Sequence, residues 1–123
     1  MAVMQSRDTR TFVAGESLAA AQFKFVTLES DGQVDLADSA GENCIGILLN
    51  SPAAGAAATV ALTGKVMVTA GGTIAAGAAV ATDAAGDAVT AASTNIIMGY
   101  ALEAAVDGQT MAIELIQGGN AAA

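Results

Sequence analysis

The chain of 123 residues fits one domain, and a chain of that length buries roughly two-thirds of its unfolded surface. Its apolar content is 54%, much of it alanine, its aromatic content is 3%, and 12 acidic against 4 basic residues give a net charge of −8. The basic residues, Arg7, Arg10, Lys24 and Lys65, form no cluster that could follow a phosphate backbone, which excludes direct nucleic-acid binding, and the same acidity argues against an anionic membrane.

At about 25 cal/mol per Å² of buried apolar surface, an alanine-rich core gains little per side chain. Additional stability is therefore expected from self-association or from docking on a larger body. No run reaches the roughly 18 strongly apolar residues of a membrane span, and Met1–Asp8 lacks the apolar stretch of a signal peptide.

In chain order, residues 1–11 read as a flexible, extended N-terminal arm and residues 12–117 as one β domain. Short runs rich in Val, Ile, Thr and Phe predict strands at Thr11–Val13, Phe23–Leu28, Gln33–Leu36, Cys44–Leu49, Thr59–Leu62, Lys65–Thr69, Ala79–Thr82, Ala88–Thr90, Ile96–Leu102 and Thr110–Ile116. Gly, Asp, Asn or Ser punctuates them, and Asp31-Gly32 and Gly86-Asp87 carry hairpin chemistry. Any helix is short, with Ser51–Ala57 and Glu103–Val106 as candidate single turns. Residues 118–123 read as a flexible tail. The fold class is all-β: a small sandwich or barrel of short strands.

Alternation places side chains within these runs. Phe23 and Phe25 flank Lys24, which points outward, and Met111, Ile113 and Leu115 share one face with Glu114 on the other.

Two segments lie over each other. Ala14-Gly15-Glu16-Ser17-Leu18-Ala19-Ala20 matches Ala70-Gly71-Gly72-Thr73-Ile74-Ala75-Ala76, with an offset of 70 − 14 = 56. Cys44-Ile45-Gly46-Ile47-Leu48-Leu49 matches Ile97-Met98-Gly99-Tyr100-Ala101-Leu102, with an offset of 99 − 46 = 53. Gly55 then lies over Gly108, and Thr59–Leu62 over Ala112–Leu115. The chain thus reads as two pseudo-repeated β-units, about 14–65 and 70–117, with a shorter hairpin region in the second.

Chemistry is sparse. With no histidine, Ser-His-Asp and Cys-His arrangements cannot form, and a single cysteine builds neither a disulfide nor a zinc site. Cys44, in an apolar run with no basic neighbour, reads as a core residue, and Tyr100 as an interface or core-edge aromatic. Asp31, Asp35, Asp38 and Glu42 could do acid–base work or hold calcium, but they lack the calcium-loop spacing and read as solvated loop charges. Neither Gly71-Gly72-Thr73 nor Gly15-Glu16-Ser17 fits a phosphate loop. Thr63-Gly64-Lys65-Val66-Met67 resembles the hairpin lysine of biotinyl or lipoyl carrier domains, without their usual flanking residues. No catalytic, cofactor or metal site is expected.

Taken in order, the segments Gly46–Leu49, Thr59–Val66, Ala70–Gly77, Ala81–Gly86, Met98–Ala105 and Gly108–Leu115 are similar to the small capsid cement, or head decoration, proteins of tailed bacteriophages. The resemblance spans roughly Gly15 to Ile116. It implies a non-enzymatic structural protein on the outer surface of the virion, made in the bacterial host cytoplasm. It implies binding to the major capsid protein of an expanded shell, as a homodimer or homotrimer and without a cofactor. The arm holds two of the four basic residues, so Arg7, Arg10, Thr11 and Phe12 are the expected capsid contacts, pairing with shell carboxylates while the arm adds a strand to a shell edge. The alternatives are a host-binding adhesive module, which would ordinarily need an aromatic platform, and a carrier domain modified at Lys65.

Overall fold

The β-branched and aromatic runs are brief and broken by glycine, and each becomes a strand rather than a helix. The computed structural model describes residues 5–117, and the side chains of 5–7, the first four residues and the expected tail at 118–123 lie outside that description. The strands are β1 (Gln5–Val13), β2 (Phe25–Leu28), β3 (Val34–Leu36), β4 (Gly46–Leu48), β5 (Ala57–Thr69), β6 (Ala79–Thr82), β7 (Ala88–Thr90), β8 (Gly99–Ala101) and β9 (Thr110–Leu115). The described residues contain no helix, and the segments 51–57 and 103–106 turn without forming one.

All nine strands belong to one antiparallel sheet, in the order β3-β2-β4-β5-β9-β8-β6-β7 with β1 added on β5. The sheet curls into a half-barrel, the form taken here by the expected sandwich or barrel. Lys65 of β5 is in register with both Gln5 of β1 and Glu114 of β9, so those two strands flank β5 on opposite edges there.

Two elements differ from the sequence pattern. The strand expected from Thr11 begins at Gln5, and its partners on β5 run from Lys65, opposite Gln5, to Ala57, opposite Val13. The stretch Gln5–Arg10 has no apolar alternation, so its strand character comes from hydrogen bonding to a ready-made edge. The two strands expected at 59–62 and 65–69 are one, because Gly64 does not end the ladder. At φ +104 it sits beside register shifts at Asp8, and the irregularity bends β5 while leaving it continuous.

The duplication is visible in the backbone hydrogen bonds. Gly15 N–H donates to Val34 O as Gly71 N–H donates to Ala88 O, and Gly55 N–H donates to Ala14 O as Gly108 N–H donates to Ala70 O. Ala37 N–H donates to Phe25 O as Ala91 N–H donates to Ala79 O. Even a side-chain role recurs: Asn50 Oδ1 accepts from Thr59 N–H at 3.1 Å, and Glu103 Oε2 accepts from Ala112 N–H at 3.1 Å. The two hairpins are equally long, each closed by a bond from the first residue to the fifth (Glu29 N–H to Gln33 O, Asp83 N–H to Asp87 O). The shortening of the second unit therefore lies elsewhere. Matching bonds are offset by 56 at Leu18 and Ile74, 54 at Lys24 and Ala78, and 53 at Ile45 and Met98. Two residues are lost ahead of β6 and one between β7 and β8.

β5 belongs to both units. Its first half pairs with β1 as its second half pairs with β9. Leu18, Val26, Val34, Leu48 and Val60 form the core of the first unit, and their counterparts Ile74, Val80, Ala88, Ala101 and Ile113 belong to the core of the second. Met111, Ile113 and Leu115 lie buried together there while Glu114 is exposed.

The units then pack on each other. Phe25, Ala37, Cys44, Ile47 and Ala61, on the opposite face of the first unit, join the core of the second. Phe25 N–H donates to Gly86 O (2.8 Å), Gly41 N–H to Thr82 O (2.8 Å) and Ile96 N–H to Gly41 O (3.0 Å). Hence β4 and residues 25–27 of β2 are buried on both faces, while Leu28 at the end of β2 is exposed. Lys24, expected to point into solvent, instead pairs with Asp87 at 3.2 Å across this junction. Phe23 precedes β2 at φ +63, where its counterpart Gly77 has φ +84.

Gly46 and Gly99 occupy matching places where adjacent strands approach closely. A Cβ would strike the Ala61 carbonyl oxygen at the first and the Glu114 carbonyl oxygen at the second. Gly46→Ala and Gly99→Ala are each expected to lower unfolding free energy by about 2–3 kcal/mol, because backbone cannot yield as a side chain can. Gly72→Ala, at a position open to solvent, should change it by less than about 1 kcal/mol. Urea denaturation of the three variants measures the contrast.

Candidate functional site

The four residues expected to form a contact lie on β1, and the strand distributes them over both faces. Arg10 and Phe12 are in register with Val60 and Ala58, so they share that face of the sheet, and Thr11 and Val13 lie on the other. Phe12 is half-buried against the first-unit core. Arg10 and Thr11 are exposed, and Val13 is 44% exposed. The backbone of Arg7 falls at the register shift between Ser6 and Asp8, and its side chain is outside the described residues. The Arg10 guanidinium lies 3.8 Å from the Asp8 carboxylate, with both side chains largely in water, a pair weak enough to exchange for another partner. Among the described residues β1 pairs with β5 alone, which leaves its outer edge unpaired.

Lys65 is not a hairpin lysine. It sits inside the 13-residue strand β5 with neighbours on both edges, whereas a carrier lysine must project from a turn to reach its partner enzymes. Cys44 is buried, with Sγ 3.6 Å from the Glu42 carbonyl oxygen. Burial, and then the Glu42 charge, push its thiol up to about 12, outweighing a hydrogen bond with Thr82 that acts in the other direction. Such a thiol is an unreactive core group.

The carboxylates singled out in the sequence are partly gathered by the fold. Asp35, Asp38 and Glu42, joined by Glu16 and Glu29, line a depression of about 360 Å³ beside β2 and β3. Glu16 and Glu42, with Asp31 nearby, organise loops: Glu16 Oε2 accepts from Leu36 N–H (2.9 Å), Glu42 Oε2 from Asp38 and Ser39 N–H (2.8 Å each), and Asp31 Oδ1 from Gln33 N–H (2.9 Å). Among the described residues no group of three or more His, Cys, Asp or Glu is placed to hold a metal ion.

Asp35 differs from its neighbours. Its Oδ1 is buried without a hydrogen-bond partner, pressed where a Cβ on Gly15 would collide with it. Burial, then the charges of Glu16, Glu29 and Asp31, and last a side-chain hydrogen bond with Glu29, raise its pKa above the ordinary 3.8.

The sequence pattern reads Tyr100 as an interface or core-edge aromatic but does not mark the apolar residues near it. Tyr100 is 43% exposed on β8, and Leu102 and Val106 are 46% and 59% exposed in the turns that follow. Val106 lines a shallow depression of about 390 Å³ with Thr73, Ile74, Ala75 and Ala105. Nothing in the local pattern marks Leu102 or Val106, because exposure depends on which sheet face the other unit covers.

A carboxyl whose pKa folding raises binds its proton more tightly in the folded state, so its contribution to stability falls as pH climbs past 3.8. Asp35→Asn removes that cost and keeps a donor for Glu29. It should raise Tm at pH 7 by a few degrees, about 1 kcal/mol or less, and the gain should vanish near pH 3.5. Thermal melts at both pH values check it; a gain that persists at low pH would show that packing, not charge, is responsible.

Comparison with known proteins places this architecture. No curated protein matches the sequence. The solved head fiber gp8.5 N base of bacteriophage phi29 is similar in fold, with a TM-score of 0.72 at 19% identity, covering 89% of this chain and 94% of that one. A family model described as phage cement protein matches residues 4–116, which takes in every strand from β1 to β9. The chain belongs to the phage cement protein family.

Proposed function

We propose that this protein binds the outer surface of an expanded phage shell, contacts the major capsid protein and stabilises the shell without catalysis or cofactor, as a homodimer or homotrimer. The observation that carries this reading is the family match across the whole folded body, residues 4–116. The likeness to a base described as part of a head fiber supports a place on the head of the virion. The buried, unreactive Cys44 and the in-strand Lys65 add no competing chemistry.

The contact runs along β1. An unpaired strand edge can take a strand from a partner, and the fold changes the geometry of that contact: the segment is already paired to β5, so the shell meets its outer edge rather than a free arm. Arg10 exchanges Asp8 for a shell carboxylate, Arg7 pairs with another, and Thr11 and Phe12 lie along the contact.

A host-binding role draws less support. Tyr100 is the exposed aromatic among the described residues and does not form a sugar platform by itself.

Arg7→Glu/Arg10→Glu leaves the β1–β5 ladder intact, unlike deletion of residues that the ladder uses. Binding of this double variant to purified undecorated expanded shells should weaken about tenfold or more, roughly 1.4 kcal/mol. Calorimetry of the shells should show a higher disruption temperature with wild-type protein bound. Failure of the wild type to bind sinks the capsid reading, whereas equal binding of the double variant sinks only the β1 contact.

A further inference from the structure

The internal repeat makes a specific interface legible. In the first unit, one sheet face carries Phe25, Ala37, Cys44 and Ile47, and the second unit covers it. The counterparts in the second unit are Ala79 (79 − 25 = 54), Ala91 (91 − 37 = 54), Ile97 (97 − 44 = 53) and Tyr100 (100 − 47 = 53), in line with the offsets of the backbone hydrogen bonds, and Ala61 of the same face answers to the exposed Glu114 (114 − 61 = 53) beside Tyr100. Among the described residues nothing covers them. Where Ile47 is fully buried, Tyr100 is 43% exposed, and Ala79, Ala91 and Ile97 are partly open.

The covering surface recurs as well. What seats on the first unit is the β6–β7 hairpin, through Thr82, fully buried, and Gly86, whose carbonyl accepts from Phe25 N–H. The matching β2–β3 hairpin carries Leu28 (82 − 28 = 54) and Gly32 (86 − 32 = 54). Leu28 is 47% exposed, and Gly32 is exposed at the same φ of +83 as Gly86.

Each chain therefore presents one uncovered socket, on the second unit, and one unseated plug, on the first, both matched by repeat position to an interface it already makes internally. We propose that copies of this chain associate head to tail, the β2–β3 hairpin of one copy seating on the Ala79–Ile97–Tyr100 face of the next. Such an interface is heterologous, so the two contacting patches are different surfaces. The swap of Phe25 and Ile47 for Ala79 and Tyr100 makes it looser than the internal junction, as suits an association between separate chains. It stands independently of the capsid contact, which uses β1.

The test is sedimentation velocity at about 0.3 M salt, which screens the acidic residues beside both patches to a few ångströms. Wild-type protein should associate with rising concentration. Tyr100→Glu and Leu28→Glu alter exposed side chains, and circular dichroism confirms that each folds; each should sediment as a monomer. Because each variant spoils a different patch, an equimolar mixture should recover a 1:1 dimer joined through the remaining intact pair. A monomeric wild type, single variants that associate like the wild type, or a mixture that stays monomeric overturns the proposal.

Discussion

The structure depends on one junction, the packing of Phe25 and Ile47 of the first unit against the core of the second. Alanine-rich sheets gain too little from their own faces, and a large aromatic ring fully removed from water supplies what several alanines do not. The backbone bonds between Phe25 and Gly86 and between Gly41 and Thr82 then fix the angle of the two units. The Lys24–Asp87 pair adds a charge contact at the edge of the same surface.

β5 makes this junction possible. A strand of 13 residues serves as the last strand of one unit and the first of the next, so the two units are joined by a ladder and not by a linker. The consequence is that the duplicated halves are not equivalent in burial. The first unit is sandwiched between its own core and its neighbour, and the second keeps one face open. An assembly protein needs such open faces, and here they arise because, among the described residues, the second unit covers the first and nothing covers the second.

The same asymmetry explains how the chemistry is distributed. Carboxylates around β2 and β3 bond to backbone N–H groups and shape loops, whereas Asp35 holds a buried oxygen with neither a hydrogen bond nor, as Asp87 has in Lys24, a cation beside it. Residues that look reactive in isolation are absorbed by the fold: Cys44 into the junction, Lys65 into the middle of a ladder. The polar strand β1, which has no core pattern of its own, is left among the described residues with an unpaired edge and an exchangeable arginine.

By itself the sequence determined the all-β class, nearly every strand from β2 to β9, the hairpin turns, the order of the repeat and the family resemblance, because strand propensity, turn glycines and repeat spacing are local properties of the chain. Local pattern also placed Met111, Ile113 and Leu115 together in the core. Only the tertiary structure decided that Gln5–Val13 is a strand, since a polar segment becomes one when an edge offers hydrogen bonds. The same holds for the fusion of two runs into β5, where the bulge at Gly64 is set by the partner strand. It decided too that Phe25 is covered while Tyr100 is 43% exposed, because burial belongs to the surface that arrives from elsewhere in the chain.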